Sequence, residues 1–160
     1  MPGAHQIHQV RSTADLVSVE CLFREYACSL DVDLAYQDFV GELASLPGKY
    51  APPSGELLLA RDVHGEPLGC VALRPIAPEG YCEMKRLYIP PAGRGLGLGR
   101  ALVEAIIEAA RRIGYREIRL DTLPSMTEAR ALYRKLGFVA IEPYYSTPVS
   151  GTAFLAKALS

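Results

Sequence analysis

Four glycines stand at alternate positions, Gly93, Gly95, Gly97 and Gly99, at the head of the segment AGRGLGLGRALVEAIIEAARRIG. Glycine then disappears until Gly114, and Leu98, Leu102, Ala105, Ile106, Ala109 and Ile113 recur at the spacing of one helix face. A backbone without Cβ atoms reaches positive φ and lets a ligand come close to the main chain. At a helix start it also exposes free N–H groups at the positive end of the dipole, a combination that binds phosphate. A plain strand-to-helix turn needs only one or two glycines. A Walker loop is excluded, because no Gly-Lys-Ser/Thr follows. The dinucleotide fingerprint fails too: Gly95-Leu96-Gly97 is followed by Leu98-Gly99-Arg100, which puts the third glycine out of step.

A family match remains. RGLGLG, Arg94 to Gly99, resembles the Arg/Gln-x-x-Gly-x-Gly/Ala loop of the GNAT superfamily of N-acetyltransferases, which grips the pyrophosphate of acetyl-CoA. MKRLYIPPAGRG resembles the strand that leads into that loop. ARALYRKLGF, residues 129–138, resembles the helix and ending of the family's second cofactor segment. The three pieces lie in order between residues 81 and 138.

The resemblance implies acetyl-CoA as co-substrate, an amine as acceptor and no metal. The pyrophosphate would lie on main-chain N–H groups of Arg94, Gly95, Leu96, Gly97, Leu98, Gly99 and Arg100. Leu87, Tyr88 and Ile89 would pair their main chain with the pantetheine arm, and Pro90-Pro91 ends that strand by removing donors. Tyr133 matches the tyrosine that many members place near the cofactor sulfur, where a phenol donates a proton to the departing thiolate; otherwise it is a helix tyrosine packing by its ring. Glu83, eleven residues before Arg94, matches a glutamate that takes the amine proton, often through water. Otherwise it is a strand carboxylate paired with Lys85 or Arg86. One position departs from the family: where Asn often precedes the tyrosine by seven residues, this chain has Met126, and Ser125 is the neighbour able to substitute. In this family the acceptor is chosen by the first two helices and the segment before the last strand. Tyr36, Gln37, Tyr144 and Tyr145, with Asp31 and Asp33, are the candidates there. A non-catalytic acyl-CoA-binding or regulatory module is the alternative function, disfavoured by the presence of both Tyr133 and Glu83.

Positioning these residues requires an alternation of elements that the sequence supplies. HQIHQVR (5–11) reads as an edge strand, and STAD opens a helix to Ser29 with Ser12 and Asp15 as a capping box. A second helix is expected over 34–46. ELLLARDV (56–63) and LGCVALRPI (68–76) form a hairpin, followed by the strand YCEMKRLYI (81–89). After the glycine-led helix come the strand REIRLDTL (116–123), a helix opened by a second capping box at Ser125 and Glu128, and strands at FVAI and TAFLAKAL. The order βααβββαβαββ indicates an α/β (α+β) layer fold. By resemblance it is a GNAT-like acyl-CoA N-acyltransferase fold, with a mixed, mostly antiparallel sheet flanked by about four helices. One N-acetyltransferase domain over 1–160 is expected.

Composition narrows the partners. A formal net charge of -1 gives no basic field to recruit nucleic acid or an acidic membrane. No apolar run approaches the length of a membrane span, and the first residues show no leader signal, so a cytoplasmic location is the default expectation. Cys21, Cys28, Cys70 and Cys82 form no Cys-x-x-Cys pair and read as small buried hydrophobes. His5 and His8 point to opposite faces of a strand, so no metal site is expected. A homodimer is allowed for.

Overall fold

The computed structural model describes residues 5–159; Met1–Ala4, part of the stretch examined for leader signals, and Ser160 lie outside it. Eleven helices and strands follow the expected order: β1 (His5–Gln9), α1 (Thr13–Ser29), α2 (Phe39–Ala44), β2 (Glu56–Asp62), β3 (Pro67–Ile76), β4 (Tyr81–Tyr88), α3 (Leu98–Ile113), β5 (Glu117–Thr122), α4 (Thr127–Lys135), β6 (Val139–Ala140) and β7 (Ala153–Ala158). The strands form one sheet in the order β1-β2-β3-β4-β5-β7-β6. Every pairing is antiparallel except β4 with β5.

Helices cover both faces of the sheet, which is why β2 and β3 read as nearly continuous apolar runs. On one face α3 buries Leu98, Leu102, Val103, Ile106, Ile107, Ala109 and Ala110 against Leu58, Val71, Leu73, Met84 and Ile118. Each such side chain contributes about 1.5–3 kcal/mol when fully removed from water. The stripe is wider than the expected one because α3 lies across β2, β3 and β4; Ile113, in its last turn, is exposed instead. On the other face α1 packs Val19, Leu22 and Phe23 against Leu57, Leu59, Cys70 and Ala72. Ser12 caps α1 by accepting from the Asp15 N–H at 3.1 Å.

Three further expectations need correction. The helix expected over 34–46 is broken: Leu34–Gln37 form a 3-10 turn, Asp38 adopts left-handed backbone at φ 54, and only Phe39–Ala44 continue as α2. Asp33 fixes the turn by accepting from the Ala35 N–H at 2.9 Å, a local bond that competes with helix propagation. The Ser125 capping box does not form. Helix α4 begins at Thr127 after Met126, so Ser125 lies one residue too early to cap it. On the exposed side of α3, Glu108 pairs with Arg111 at 2.6 Å and Arg100 with Glu104 at 3.5 Å. Finally, Cys70 and Cys82 are buried but Cys21 and Cys28 are exposed, on the solvent side of α1.

Candidate active site

β4 and β5 pair only where Tyr81–Glu83 lie beside Glu117–Arg119. Beyond Glu83 the two strands have no bridging hydrogen bonds, so the sheet splits. One consequence is a groove of about 640 Å³ between β4 and α4, lined by Leu87, Tyr88, Ile89, Arg94, Gly99, Ser125, Met126 and Leu132, among others. An inner cavity of about 50 Å³ adjoins it, sharing Tyr26, Leu87, Met126 and Ala129. The unpaired half of β4 thus faces open space.

The glycine loop stands at the outer end of this groove, and its four glycines serve different ends. Gly93 is a packing requirement, since a Cβ there would stand 2.4 Å from the Leu68 carbonyl oxygen. Gly95 and Gly97 have φ of +81 and +73 with nothing within 4 Å of a Cβ; they are needed for backbone conformation, and they leave vacant space in front of α3. Gly99, in the first turn of α3, meets only Leu132 at 3.8 Å. No side chain caps α3, and no acidic residue occupies its first turn. The helix therefore presents bare N–H groups and an uncompensated dipole to that open space, which fits a diphosphate. Ser125, freed from capping, is exposed along the same groove.

The inner cavity is built by a defect in β4. Cys70 pairs with Tyr88 and Ala72 with Lys85, so three steps on β4 match two on β3, and Arg86 takes left-handed backbone at φ 60. In a regular strand Lys85 and Arg86 would point to opposite faces. With the bulge, both line the cavity. The Arg86 guanidinium donates to both Glu42 carboxylate oxygens at 2.9 and 2.7 Å and lies over the rings of Phe39 and Tyr26. Tyr50 donates to Glu42 at 3.0 Å. Burial alone would raise the Glu42 carboxyl, but the Arg86 bonds outweigh it and hold it below the usual carboxylate range. The break at Asp38 makes this geometry available: in one continuous helix residues 37 and 42 would point about 140° apart, whereas here Gln37 lines the cavity and Glu42 reaches Arg86.

Tyr133 lines the inner cavity from α4 with its ring against Phe138. Its side chain is almost wholly buried, and desolvation pushes its pKa well above the usual tyrosine value. Its hydroxyl therefore stays protonated and makes no hydrogen bond among the described residues. Lys85 is also buried; desolvation lowers its pKa from the ordinary lysine value, while Glu83 and Asp121 pull it back.

Glu83 lies beneath the cavity rather than on its wall. It is 1% exposed. One carboxylate oxygen accepts from Arg74 at 2.8 Å, with the Lys85 nitrogen 4.0 Å away, and the other accepts from the Tyr144 hydroxyl at 2.6 Å. Its ionic partner is thus Arg74, with Lys85 more distant and Arg86 committed to Glu42. Tyr145 donates to Asp121, and Asp121 itself lines the cavity. The two tyrosines stack edge-on with each other and with Phe154. They hold the cavity's carboxylates, while Tyr36 and Gln37 are on its wall. Asp33 is the cap of the 3-10 turn, and both Asp31 and Asp33 are exposed.

The family profile described as the Acetyltransferase (GNAT) family matches residues 20–138. The chain belongs to the GNAT acetyltransferase family. It is 42% identical over 159 residues to an uncharacterized N-acetyltransferase of Schizosaccharomyces pombe, covering 99% of this chain and 98% of that one. Among solved structures, an acyl-CoA N-acyltransferase of Klebsiella pneumoniae superposes with a TM-score of 0.75 at 27% identity, over 98% of both chains. An acetyltransferase of Salmonella typhimurium, solved with acetyl-CoA, shares the fold with a TM-score of 0.71 at 20% identity, over 98% of this chain and 95% of that one. The split sheet and the glycine-led helix are accordingly those of a GNAT fold.

Within this GNAT chain, sequence reasoning missed Lys85, Arg86, Asp121 and Tyr26 as cavity residues. Two of them carried a readable signal. In EIRLDT, alternation sets Glu117, Arg119 and Asp121 opposite buried Ile118 and Leu120, and in YCEMKRLY it sets Lys85 on the face of Glu83. Arg86 carried none, because a bulge at a non-glycine residue breaks the alternation without a sequence mark.

Proposed function

We propose that this chain is a single N-acetyltransferase domain, acting in the cytoplasm, that transfers an acetyl group from acetyl-CoA directly to a primary amine. The observation that carries this reading is the bare amino terminus of α3, which opens through two positive-φ glycines onto a groove whose adjoining inner cavity is lined by Tyr133. A diphosphate fits the first feature, and an extended arm fits the unpaired edge Leu87–Ile89. Acetyl-CoA, when bound, supplies the acyl group as a thioester already activated toward amines.

In this reading the main-chain N–H groups of Arg94–Arg100 hold the anionic end and Ser125 adds a hydroxyl to the groove. Tyr133 donates its phenolic proton to the sulfur as the carbon–sulfur bond breaks. Its raised pKa keeps that proton available at neutral pH. The amine must lose a proton when its nitrogen bonds the acyl carbon, and Glu83 accepts it through a bridging water. Asp121 is the second carboxylate within reach, favoured by its place on the cavity wall. Cys70 and Cys82 are unsuited to a covalent acyl-enzyme: both are buried, and burial pushes the Cys82 thiol up to about 12. Thermal unfolding with acetyl-CoA and with free CoA tests the groove assignment. Both should raise Tm through the same contacts, and no shift at millimolar ligand would overturn it.

A further inference from the structure

We propose that the acceptor is a small amino acid, bound with its carboxylate on Lys85 and its amine on the Gln37 side-chain oxygen. This deepens, and rests on, the acetyl-transfer reading above. Two side-chain groups in the inner cavity lack the partners their chemistry requires. The Lys85 side chain is 4% exposed, and among the described residues its ammonium makes no hydrogen bond. The carboxylate oxygen it approaches, on Glu83, is 4.0 Å away and is already bonded by Arg74 at 2.8 Å. Gln37 Oε1 is buried with no partner, while Gln37 Nε2 donates to the Tyr36 hydroxyl at 3.1 Å. Buried polar groups are nearly always hydrogen-bonded, and buried charges are paired. Both residues line one cavity.

The other charges of the cavity are matched within the protein. Arg86 is held by Glu42, Asp121 by Tyr145, and Glu83 by Arg74 and Tyr144. What is left open is a cationic donor set and a neutral acceptor. A ligand that completes both needs an anion and an N–H donor, which an amino acid carries on one carbon. Lys85, Arg86 and Arg74 also balance Glu42, Glu83 and Asp121, so a zwitterion enters without adding net charge. A simple amine would leave the Lys85 ammonium unpaired and bring a second cation beside it. The cavity, about 50 Å³, suits a small acceptor.

The full-length chain decides the matter in two stages. Binding is read first by titrating L-amino acids, their carboxamides and their decarboxylated amines into protein saturated with free CoA, which fills the groove without turnover. Thiol release from acetyl-CoA is then measured with the same compounds. At least one amino acid should bind and be acetylated with kcat/KM about 10²-fold or more above its carboxamide and its amine, since a site built for a polar group rejects analogues lacking it. Lys85→Met should erase that preference mainly through KM while leaving the Tm shift with free CoA unchanged, and Gln37→Leu should raise KM for the amino acid. Should Lys85→Met fail to fold, as judged by that shift, Lys85→Gln replaces it with the same expectation. Amines or carboxamides used as well as amino acids would overturn the assignment while leaving acetyl transfer intact, as would a Lys85 variant with the preference unaltered. Absence of both CoA binding and thiol release would instead overturn the acetyl-transfer reading, and the amino-acid assignment with it.

Discussion

Replacing Gly97 by alanine separates what the loop does for the fold from what it does for a ligand. Gly97 sits at φ 73 and ψ 15 as the residue before α3, with nothing within 4 Å of an added Cβ. The methyl group therefore meets no protein atom, and the cost to folding is the left-handed backbone alone, about 1–2 kcal/mol. At about 2–4 °C per kcal/mol for a chain of this size, Tm should fall by roughly 2–8 °C. The same methyl projects into the open space before the bare N–H groups of α3, where a diphosphate would lie. Acetyl-CoA affinity should then drop about 10²-fold, equivalent to about 2.7 kcal/mol. Gly114 provides the control, because it ends the same helix at φ 107 and also has nothing within 4 Å. Gly114→Ala should cost comparable stability and leave acetyl-CoA binding unchanged. Titration calorimetry with acetyl-CoA and thermal unfolding of both variants supply the comparison. Binding by Gly97→Ala within about threefold of wild type, well under one kcal/mol, would refute the loop assignment. Equal weakening by Gly114→Ala would attribute the effect to helix strain.

Three further outcomes follow from the inner cavity. Tyr133→Phe should lower kcat by about 10²-fold or less with acetyl-CoA affinity near wild type; an unchanged kcat in steady-state assays would leave Tyr133 as a packing residue beside Phe138. Glu83→Gln should lower kcat/KM, with partial rescue as pH rises from about 6 to 9.5 because more amine then arrives unprotonated; a profile overlaying wild type, together with a loss in Asp121→Asn, would move the base to Asp121. Glu42→Ala strands the buried Arg86 guanidinium and should cost about 3–5 kcal/mol in denaturant unfolding. Because the Glu42 carboxyl is held below the ordinary glutamate range in the folded state, its contribution is present above that range and lost as pH falls through the folded value. Wild type should therefore lose stability below about pH 4.5 more steeply than Glu42→Gln; equal slopes would show that the pair carries no such linkage.

How far the sequence could be read depended on whether a feature was local and periodic. The hairpin, α3 and the cap at Ser12 announce themselves through alternation, helical spacing and an N-cap serine, and each stands where expected. The glycine loop was legible because several residues of one type were concentrated where a helix starts. What was not legible depended on tertiary competition. Asp38 enters left-handed backbone in a stretch whose apolar spacing is helical, and the resulting turn delivers Gln37 and Glu42 to different sites. Arg86 carries a bulge without the glycine that usually marks one. The expected box at Ser125 had suitable residue types, but the chain after Pro124 enters the helix one residue later than that motif requires. Glu83 and Tyr144 were named separately, 61 residues apart, and only the folded sheet shows that they share a hydrogen bond.

The central claim is that the groove and the cavity form one path, along which an acyl group passes from a CoA thioester to an amine. Release of free thiol from acetyl-CoA, followed across a panel of amines and amino acids with wild type and Tyr133→Phe side by side, tests it most directly. Wild type should release thiol in an acceptor-dependent way and form the N-acetyl product in equal amount, with a marked loss in Tyr133→Phe. Tight acetyl-CoA binding without acceptor-dependent release from any member of the panel would contradict it and leave a CoA-binding module in its place.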